Sequence, residues 1–206
     1  FNVAQDGNVV TVSNAKLRIT YNLEKAAFTV CRADGTLLLS ESDFAATFTA
    51  TKDGTFDSYT MTNRFTLDKD EYIFGMGQIQ DGALNLRGKT LHLEQDNMKV
   101  CIPYFQSSKN YSLFWDNYSP TTFTDNEAST SFTSTGTEID YYLMVGETSD
   151  DVLACMRRLT GTCPMPALWN FGLYQSKQRY TSATEVMDVV RKYRELNVPL
   201  DCIVQD

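Results

Sequence analysis

Aspartates are the residues of this sequence best suited to chemistry at a binding site. Asp206 follows a largely apolar segment, and a carboxylate at the carboxyl end of such a segment can face a site in an α/β domain. Asp201 opens the same segment beside a turn, where exposure to solvent explains it. Asp150 and Asp151 begin a predicted helix, where acids complement the helix dipole. Asp206 is therefore the one aspartate of these four that we select as a candidate functional residue.

His92 is the only histidine, which excludes histidine-rich metal clusters, and no Cys/His spacing resembles a zinc site. Its place in the alternating segment LHLE favours an ordinary strand residue over a catalytic base. A Ser-His-Asp triad through His92 stays open, although no G-x-S-x-G motif is present. The pair Gly75 and Gly77 lacks the third glycine and the following helix of a dinucleotide loop, and indicates close backbone packing or a sharp bend. We expect neither a metal nor a cofactor.

Overall charge and hydropathy argue against a nucleic-acid-binding protein and against a membrane-spanning helix. Lys and Arg number 18 against 26 Asp and Glu, so the net charge of −8 opposes binding to nucleic acid. No apolar run approaches the roughly 18 residues of a membrane-spanning helix. The odd number of cysteines favours buried free thiols, and a disulfide between Cys155 and Cys163 stays open.

The region from Val9 to Val145 has the pattern of an all-β domain, with short segments rich in Thr, Val, Phe and Tyr separated by turn residues. The segment KLRITYN (16–22) alternates apolar and polar residues, as a half-buried antiparallel strand does. Residues 27–40 predict a hairpin around Asp34 and Gly35, which supply the positive φ of a tight turn. Many short strands without intervening helices predict two packed antiparallel sheets.

The pattern changes at residue 148. The segment TSDDVLACMRRLTG (148–161) predicts a helix with an N-cap at Thr148 or Ser149, an end at Gly161, and an apolar face formed by Val152, Leu153, Met156 and Leu159. Pro164 and Pro166 then form a stiff connector. We therefore place a domain boundary between residues 163 and 164.

The last 40 or so residues predict one βαβ unit. ALWNFGLYQS (167–176) has the length of a strand, Ser182 and Glu185 form a capping box that begins a helix, and LDCIV (200–204) is a buried parallel strand. Two strands and one helix cannot cover both faces of a sheet. The segment therefore indicates the opening of an α/β domain. If that domain is a (β/α)8 barrel, Asp206 lies at the face where such barrels place their sites.

Four segments together resemble glycoside hydrolase family 31, the retaining α-glycosidases. They are YIFGMGQ (72–78), the stretch from LNLRGKT to FWDN (84–117), PALWNFGLYQSKQRY (166–180) and NVPLDCIVQD (197–206). The resemblance implies a galactose-mutarotase-like antiparallel β-sandwich over residues 1–163. It also implies the start of the catalytic (β/α)8 barrel over residues 164–206, with the remainder of the barrel packing on the sandwich.

The resemblance also implies a sugar-binding subsite. Asp206 matches the aspartate that binds the non-reducing sugar at the end of an early barrel strand. Asn97 matches the Asp or Asn that a sandwich loop contributes to the same subsite, although a simple turn residue in QDNMK is the alternative. The family's nucleophile and acid/base lie later in the barrel, so no catalytic residue is assigned in this sequence.

We therefore expect a portion of an α-glycosidase whose oligosaccharide substrate carries terminal α-linked xylose or glucose. The ending IVQD resembles the α-xylosidases more than the maltases. The 206 residues alone should be inactive. The alternative hypothesis is a non-catalytic carbohydrate-binding β-sandwich module. A third hypothesis, a domain that only orients the barrel, is compatible with the α-glycosidase hypothesis. A periplasmic or secreted location is favoured over a cytoplasmic one.

Overall fold

A computed structural model describes all residues from Phe1 to Asp206, which form two compact units, Phe1–Thr160 and Gly161–Asp206. The strands of the first unit, in chain order, are β1 (Asn2–Asp6), β2 (Val9–Ser13), β3 (Leu17–Asn22), β4 (Ala27–Arg32), β5 (Leu37–Glu41), β6 (Thr47–Asp53), β7 (Phe56–Thr66), β8 (Ile73–Gln78), β9 (Thr90–Leu93), β10 (Val100–Ser107), β11 (Tyr111–Trp115), β12 (Thr121–Asp125), β13 (Thr130–Gly136) and β14 (Tyr141–Val145). Helix α1 (Ser149–Thr160) completes this unit.

The first unit is a sandwich of two antiparallel sheets. Ten strands form the larger sheet in the order β1-β2-β3-β4-β5-β7-β13-β12-β9, with β6 paired to β7 outside this path. Four strands form the smaller sheet in the order β14-β11-β10-β8. The predicted antiparallel sandwich is therefore confirmed, and the connection from β9 to β10 passes from one sheet to the other.

Aromatic side chains fill the space between the sheets. Phe132 of the larger sheet stacks on Trp115 of the smaller one with ring centroids 5.4 Å apart, and Phe105 lies 6.2 Å from the same phenylalanine ring. The buried indole Nε1 of Trp115 donates to Ser134 Oγ at 2.8 Å, so its polar atom is satisfied. These alternating inward-facing residues fix the register of the strands that carry the loops.

Close packing explains the two glycines of β8. A Cβ atom at Gly75 would lie 2.4 Å from the Tyr104 carbonyl oxygen, and one at Gly77 would lie 1.9 Å from the Val100 carbonyl oxygen. Both glycines have positive φ, and the β8–β10 register shifts between Cys101 and Phe105. The glycines thus allow a bulged strand to pass close to its neighbour, and they do not form a dinucleotide loop.

The second unit contains a 3-10 helix (Leu168–Phe171), β15 (Tyr174–Lys177), α2 (Ala183–Glu195) and β16 (Cys202–Gln205). β15 and β16 pair in parallel, which is the predicted βαβ unit. The strand predicted over residues 167–176 begins later than expected, because the 3-10 helix precedes it and Gly172 closes that turn with its N–H on the Trp169 carbonyl. Neither α1 nor α2 is long and apolar enough to cross a membrane.

Candidate functional site

Asn97 lies in a tight turn within the connection between β9 and β10. The turn spans Asp96 to Lys99, whose N–H donates to the Asp96 carbonyl at 3.2 Å. Met98 has φ of 76°, the positive value that the third residue of a type II turn requires. Asn97 is exposed, and no side-chain hydrogen bond occupies its carboxamide. The amide is therefore free to donate and accept at the surface.

The carboxamide of Gln95 holds this connection in place. Its Nε2 donates to the Lys99 carbonyl at 2.7 Å, and its Oε1 accepts from the Cys101 N–H at 3.1 Å. The Cys101 thiol adds a contact of 3.2 Å to the Glu94 carbonyl. One side chain thus bridges both arms of the connection. The role of Gln95 could not be predicted from the sequence, because its partners are backbone groups that only the turn brings within reach.

Asp96 is a second candidate in the same turn. Its side chain is 64% exposed, its Oδ1 accepts from the Asn97 N–H at 2.7 Å, and its Oδ2 lies 3.9 Å from Lys99 Nζ. The resemblance calls for either Asp or Asn on this loop, and the turn presents one of each. Asp96 is not among the residues predicted from the sequence, although its position beside Asn97 in QDNMK was a signal that could have indicated it.

Asp206 lies directly after β16, at the carboxyl end of the two parallel strands. The preceding residue, Gln205, pairs in register with Lys177 at the end of β15. The Asp206 side chain is exposed and has no hydrogen bond or ion pair. A carboxylate in this position can accept two hydroxyl groups of a ligand.

The basic residue nearest to this edge along β15 is already paired. Lys177 Nζ lies 2.6 Å from Glu185 Oε1 and 5.5 Å from the centre of the Tyr180 ring. The hydrogen bond from Lys177, followed by bonds from the N–H and hydroxyl of Thr181, lowers the pKa of Glu185 to about 2. The same carboxylate raises the pKa of Lys177. This lysine therefore supports the start of α2 and is not a free cation.

Asn97 and Asp206 belong to different compact units, and each is described within its own unit. That the two side chains meet in one subsite stays a prediction. No group of three or more His, Cys, Asp or Glu residues is arranged to hold a metal ion.

The other residues considered from the sequence make contacts within the fold and do not form a site. His92 is exposed on β9, and its only partner is Glu94, 3.0 Å from Nε2, so no triad forms around it. Asp151 caps α1 through hydrogen bonds with Thr148, which lower its pKa. Asp201 Oδ2 accepts from the Leu173 N–H at 3.2 Å.

All five cysteines are free thiols. Four are half-buried, so the expectation of buried thiols was too strong, and Cys163 is exposed.

Comparison with known proteins identifies this architecture. The sequence model of the glycosyl hydrolase 31 N-terminal galactose mutarotase-like domain matches residues 1–123, and that of the family 31 TIM-barrel domain matches residues 163–206. A mutarotase-like sandwich followed by the first strands of a catalytic barrel defines a glycoside hydrolase. The chain belongs to glycosyl hydrolase family 31.

Two curated relatives show the range of similarity. The α-xylosidase of Saccharolobus solfataricus is 37% identical over 160 residues, covering 72% of this chain and 22% of the relative. Alpha-glucosidase 2 of Bacillus thermoamyloliquefaciens is 31% identical over 215 residues, covering 96% of this chain and 26% of the relative. The chain thus spans about a quarter of the length of these relatives.

Solved structures show the same fold. A family 31 α-xylosidase from a soil metagenome, complexed with xylose, superposes with a TM-score of 0.86 at 25% identity, over 99% of this chain and 33% of that protein. The family 31 α-xylosidase of Xanthomonas citri gives a TM-score of 0.88 at 19% identity, over 100% of this chain and 39% of that protein, which supports the fold alone.

Proposed function

We propose that the chain is part of a retaining α-glycosidase that releases terminal α-linked xylose or glucose from the non-reducing end of oligosaccharides. The observation that carries the proposal is the coincidence of two features. The sequence is 37% identical over 160 residues to a protein named α-xylosidase, and Asp206 directly follows β16 at the carboxyl edge of the parallel strands.

In this proposal the chain binds the sugar, and other residues of the longer enzyme perform the bond cleavage. Asp206 accepts two sugar hydroxyl groups through charge-assisted hydrogen bonds. The turn contributes the Asn97 amide, which donates and accepts at once, and the Asp96 carboxylate beside it. A nucleophile and an acid/base about 5 to 5.5 Å apart then act through a glycosyl-enzyme intermediate.

Kinetics of a longer protein that continues through a whole barrel test this assignment. Asp206→Asn should lower kcat/KM by about 10- to 100-fold, because each hydrogen bond to a charged group is worth about 1.5 to 3 kcal/mol. Asn97→Ala and Asp96→Asn, measured separately, decide which turn residue contacts the sugar. Asp188→Asn, on the exposed face of α2, is the matched control and should leave kcat/KM unchanged.

If Asp206→Asn behaves like the Asp188 control, Asp206 does not bind substrate. If neither turn variant changes kcat/KM, the turn does not reach the subsite and the simple turn-residue interpretation of Asn97 holds.

Nitrophenyl α-xyloside and nitrophenyl α-glucoside, compared in the same assay, test the sugar preference. We expect the xyloside to be preferred, since the ending IVQD resembles the α-xylosidases. A clear preference for the glucoside would contradict that part of the proposal.

A further inference from the structure

A surface pocket of about 430 Å³ lies in the sandwich at the base of the β9–β10 connection. Its lining comes from that connection, from the start of β10 and from the loop that leads into β12, and it includes Glu94, Gln95, Asn117, Tyr118 and Ser119. The pocket is formed entirely within the first compact unit. It adjoins the turn that presents Asp96 and Asn97.

Asn117, in the loop into β12, lines this pocket, and Ser119 orients its amide. Asn117 Oδ1 accepts from the Ser119 N–H at 2.8 Å. The Ser119 hydroxyl, with its single proton, lies 2.5 Å from Asn117 Oδ1 and 2.6 Å from the Thr135 carbonyl oxygen, and its Oγ accepts from the Thr135 N–H at 3.2 Å, which ties the loop to β13. Because the carbonyl side of the Asn117 amide is fully engaged, its NH2 group is fixed in direction. No protein acceptor occupies that NH2 group.

Tyr118 provides an aromatic surface beside this amide. Its side chain is fully exposed, at 106% of the reference area, and its hydroxyl has no partner. The opposite side of the pocket is held by Gln95, whose two backbone hydrogen bonds keep the connection rigid. Hydrogen bonds from Gln95 and to Asn117 therefore hold the two backbone segments that line the pocket, which reduces the entropy lost on binding.

The lining selects the chemical class of the ligand. No Lys or Arg lines the pocket and Glu94 does, so phosphates and other anions are disfavoured. The polar groups disfavour a purely apolar ligand. A neutral ring with many hydroxyl groups fits, because its hydroxyls bond to the amide and its C–H face packs on the tyrosine ring.

We propose that this pocket binds a sugar unit of the oligosaccharide, as a second saccharide site on the sandwich beside the turn. The proposal deepens the proposed function and rests on it for the class of substrate. Asn117 donates to sugar hydroxyls, Tyr118 packs against the ring, and Gln95 is a positioning residue that keeps the pocket and the turn in register.

Titration of the ¹⁵N-labelled 206-residue chain with xylose, glucose and maltotriose tests the pocket without catalysis. The side-chain NH2 signals of Asn117 should shift saturably. Tyr118→Ala should weaken binding by about fivefold, as expected for loss of one aromatic contact. Asn117→Asp should weaken it similarly, because it keeps an oxygen acceptor for the Ser119 N–H and replaces the NH2 donors with a charged acceptor.

Two control variants match these changes outside the pocket. Tyr72→Ala removes another exposed tyrosine. Asn126→Asp changes an asparagine whose Oδ1 likewise accepts two N–H groups, those of Ala128 and Ser129. Both should bind saccharide like the unmodified chain. Absence of any shift at Asn117, or equal affinity of the pocket and control variants, would overturn the pocket.

The longer enzyme supplies a second measurement. Tyr118→Ala and Asn117→Asp should raise KM for a trisaccharide while kcat stays constant, since they remove ground-state and transition-state binding equally. Hydrolysis that depends on Asp206 but not on Tyr118 or Asn117 would overturn the pocket and leave the proposed function standing. Saccharide binding at Asn117 in a longer protein without hydrolase activity would overturn the proposed function and leave the pocket standing.

Discussion

Glu41 shows how a single side chain joins the two sheets of the sandwich. Its Oε1 accepts from Asn63 Nδ2 at 2.7 Å and from the Tyr141 hydroxyl at 2.8 Å, and its Oε2 accepts from the Phe28 N–H at 3.0 Å. Asn63 belongs to the larger sheet and Tyr141 to the smaller one. Burial, followed by the Glu41 charge, raises the pKa of Tyr141, so this hydroxyl stays a donor.

Glu41→Ala should therefore lower the free energy of unfolding by about 2 to 3 kcal/mol, because it leaves the buried Asn63 amide without an acceptor. Urea denaturation measures this change. Glu24→Ala is the control, since it removes one exposed acceptor of Asn8 and should cost less than about 0.5 kcal/mol. Equal losses in the two variants would show that Glu41 does not tie the sheets together.

Glu185 gives a pH prediction. Its pKa in the folded chain, about 2, lies below the reference value of 4.5. Its contribution to stability is therefore complete above pH 4.5 and is lost as the pH falls toward 2. An NMR titration should place the midpoint near the lower value, and Lys177→Met should raise it by removing the main partner. A midpoint near 4.5 in the unmodified chain would contradict the ion pair.

For single residues, the sequence predicted which side chains are candidates for binding better than it predicted the contacts around them. Asp206 follows an apolar strand, so its place at the strand end could be deduced from pattern alone. The turn at Asp96 and the bridge made by Gln95 could not, because they depend on backbone groups that converge only after β9 and β10 have joined different sheets.

Close packing against β10 constrains the sequence of strand β8. Gly77→Ala combines a positive φ of 92° with a Cβ contact of 1.9 Å to the Val100 carbonyl oxygen. Gly82→Ala has a similar φ of 73° and no atom within 4 Å, so it isolates the conformational cost of about 1 kcal/mol.

Gly77→Ala should cost at least about 2 kcal/mol, because the steric clash with β10 adds to the conformational term. Thermal unfolding of both variants measures the difference. If the two variants unfold at the same temperature, close packing is not the reason for glycine in β8.

The periodicity of the sequence predicted most helices and strands. It did not predict which helix face is buried, because tertiary contacts decide that. The hairpin over residues 27–40 and the N-cap of α2 at Ser182 are confirmed, with Ser182 accepting from the Glu185 N–H at 3.1 Å. The apolar face of α1 is largely uncovered, since only Val152 is buried. A hydrophobic stripe indicates which side of a helix can be buried, but it does not supply the surface that covers it.

At the scale of the whole molecule, the two units carry different candidate residues. The sandwich carries Asp96, Asn97 and the pocket with Tyr118, and the βαβ unit carries Asp206. The fold class could be predicted because many short alternating strands leave few architectures. The domain boundary between residues 163 and 164, and the meeting of the two candidate residues, stay predictions.

Hydrolysis of nitrophenyl α-xyloside and nitrophenyl α-glucoside, by this chain and by a longer protein that continues through a whole barrel, tests the central claim most directly. We predict activity in the longer protein and none in the 206-residue chain, because no pair of acids in the chain is assigned to the roles of nucleophile and acid/base. Hydrolysis by the 206-residue chain itself would contradict the account, since its own acids would then perform the chemistry. Absence of activity in the longer protein would contradict the proposed α-glycosidase.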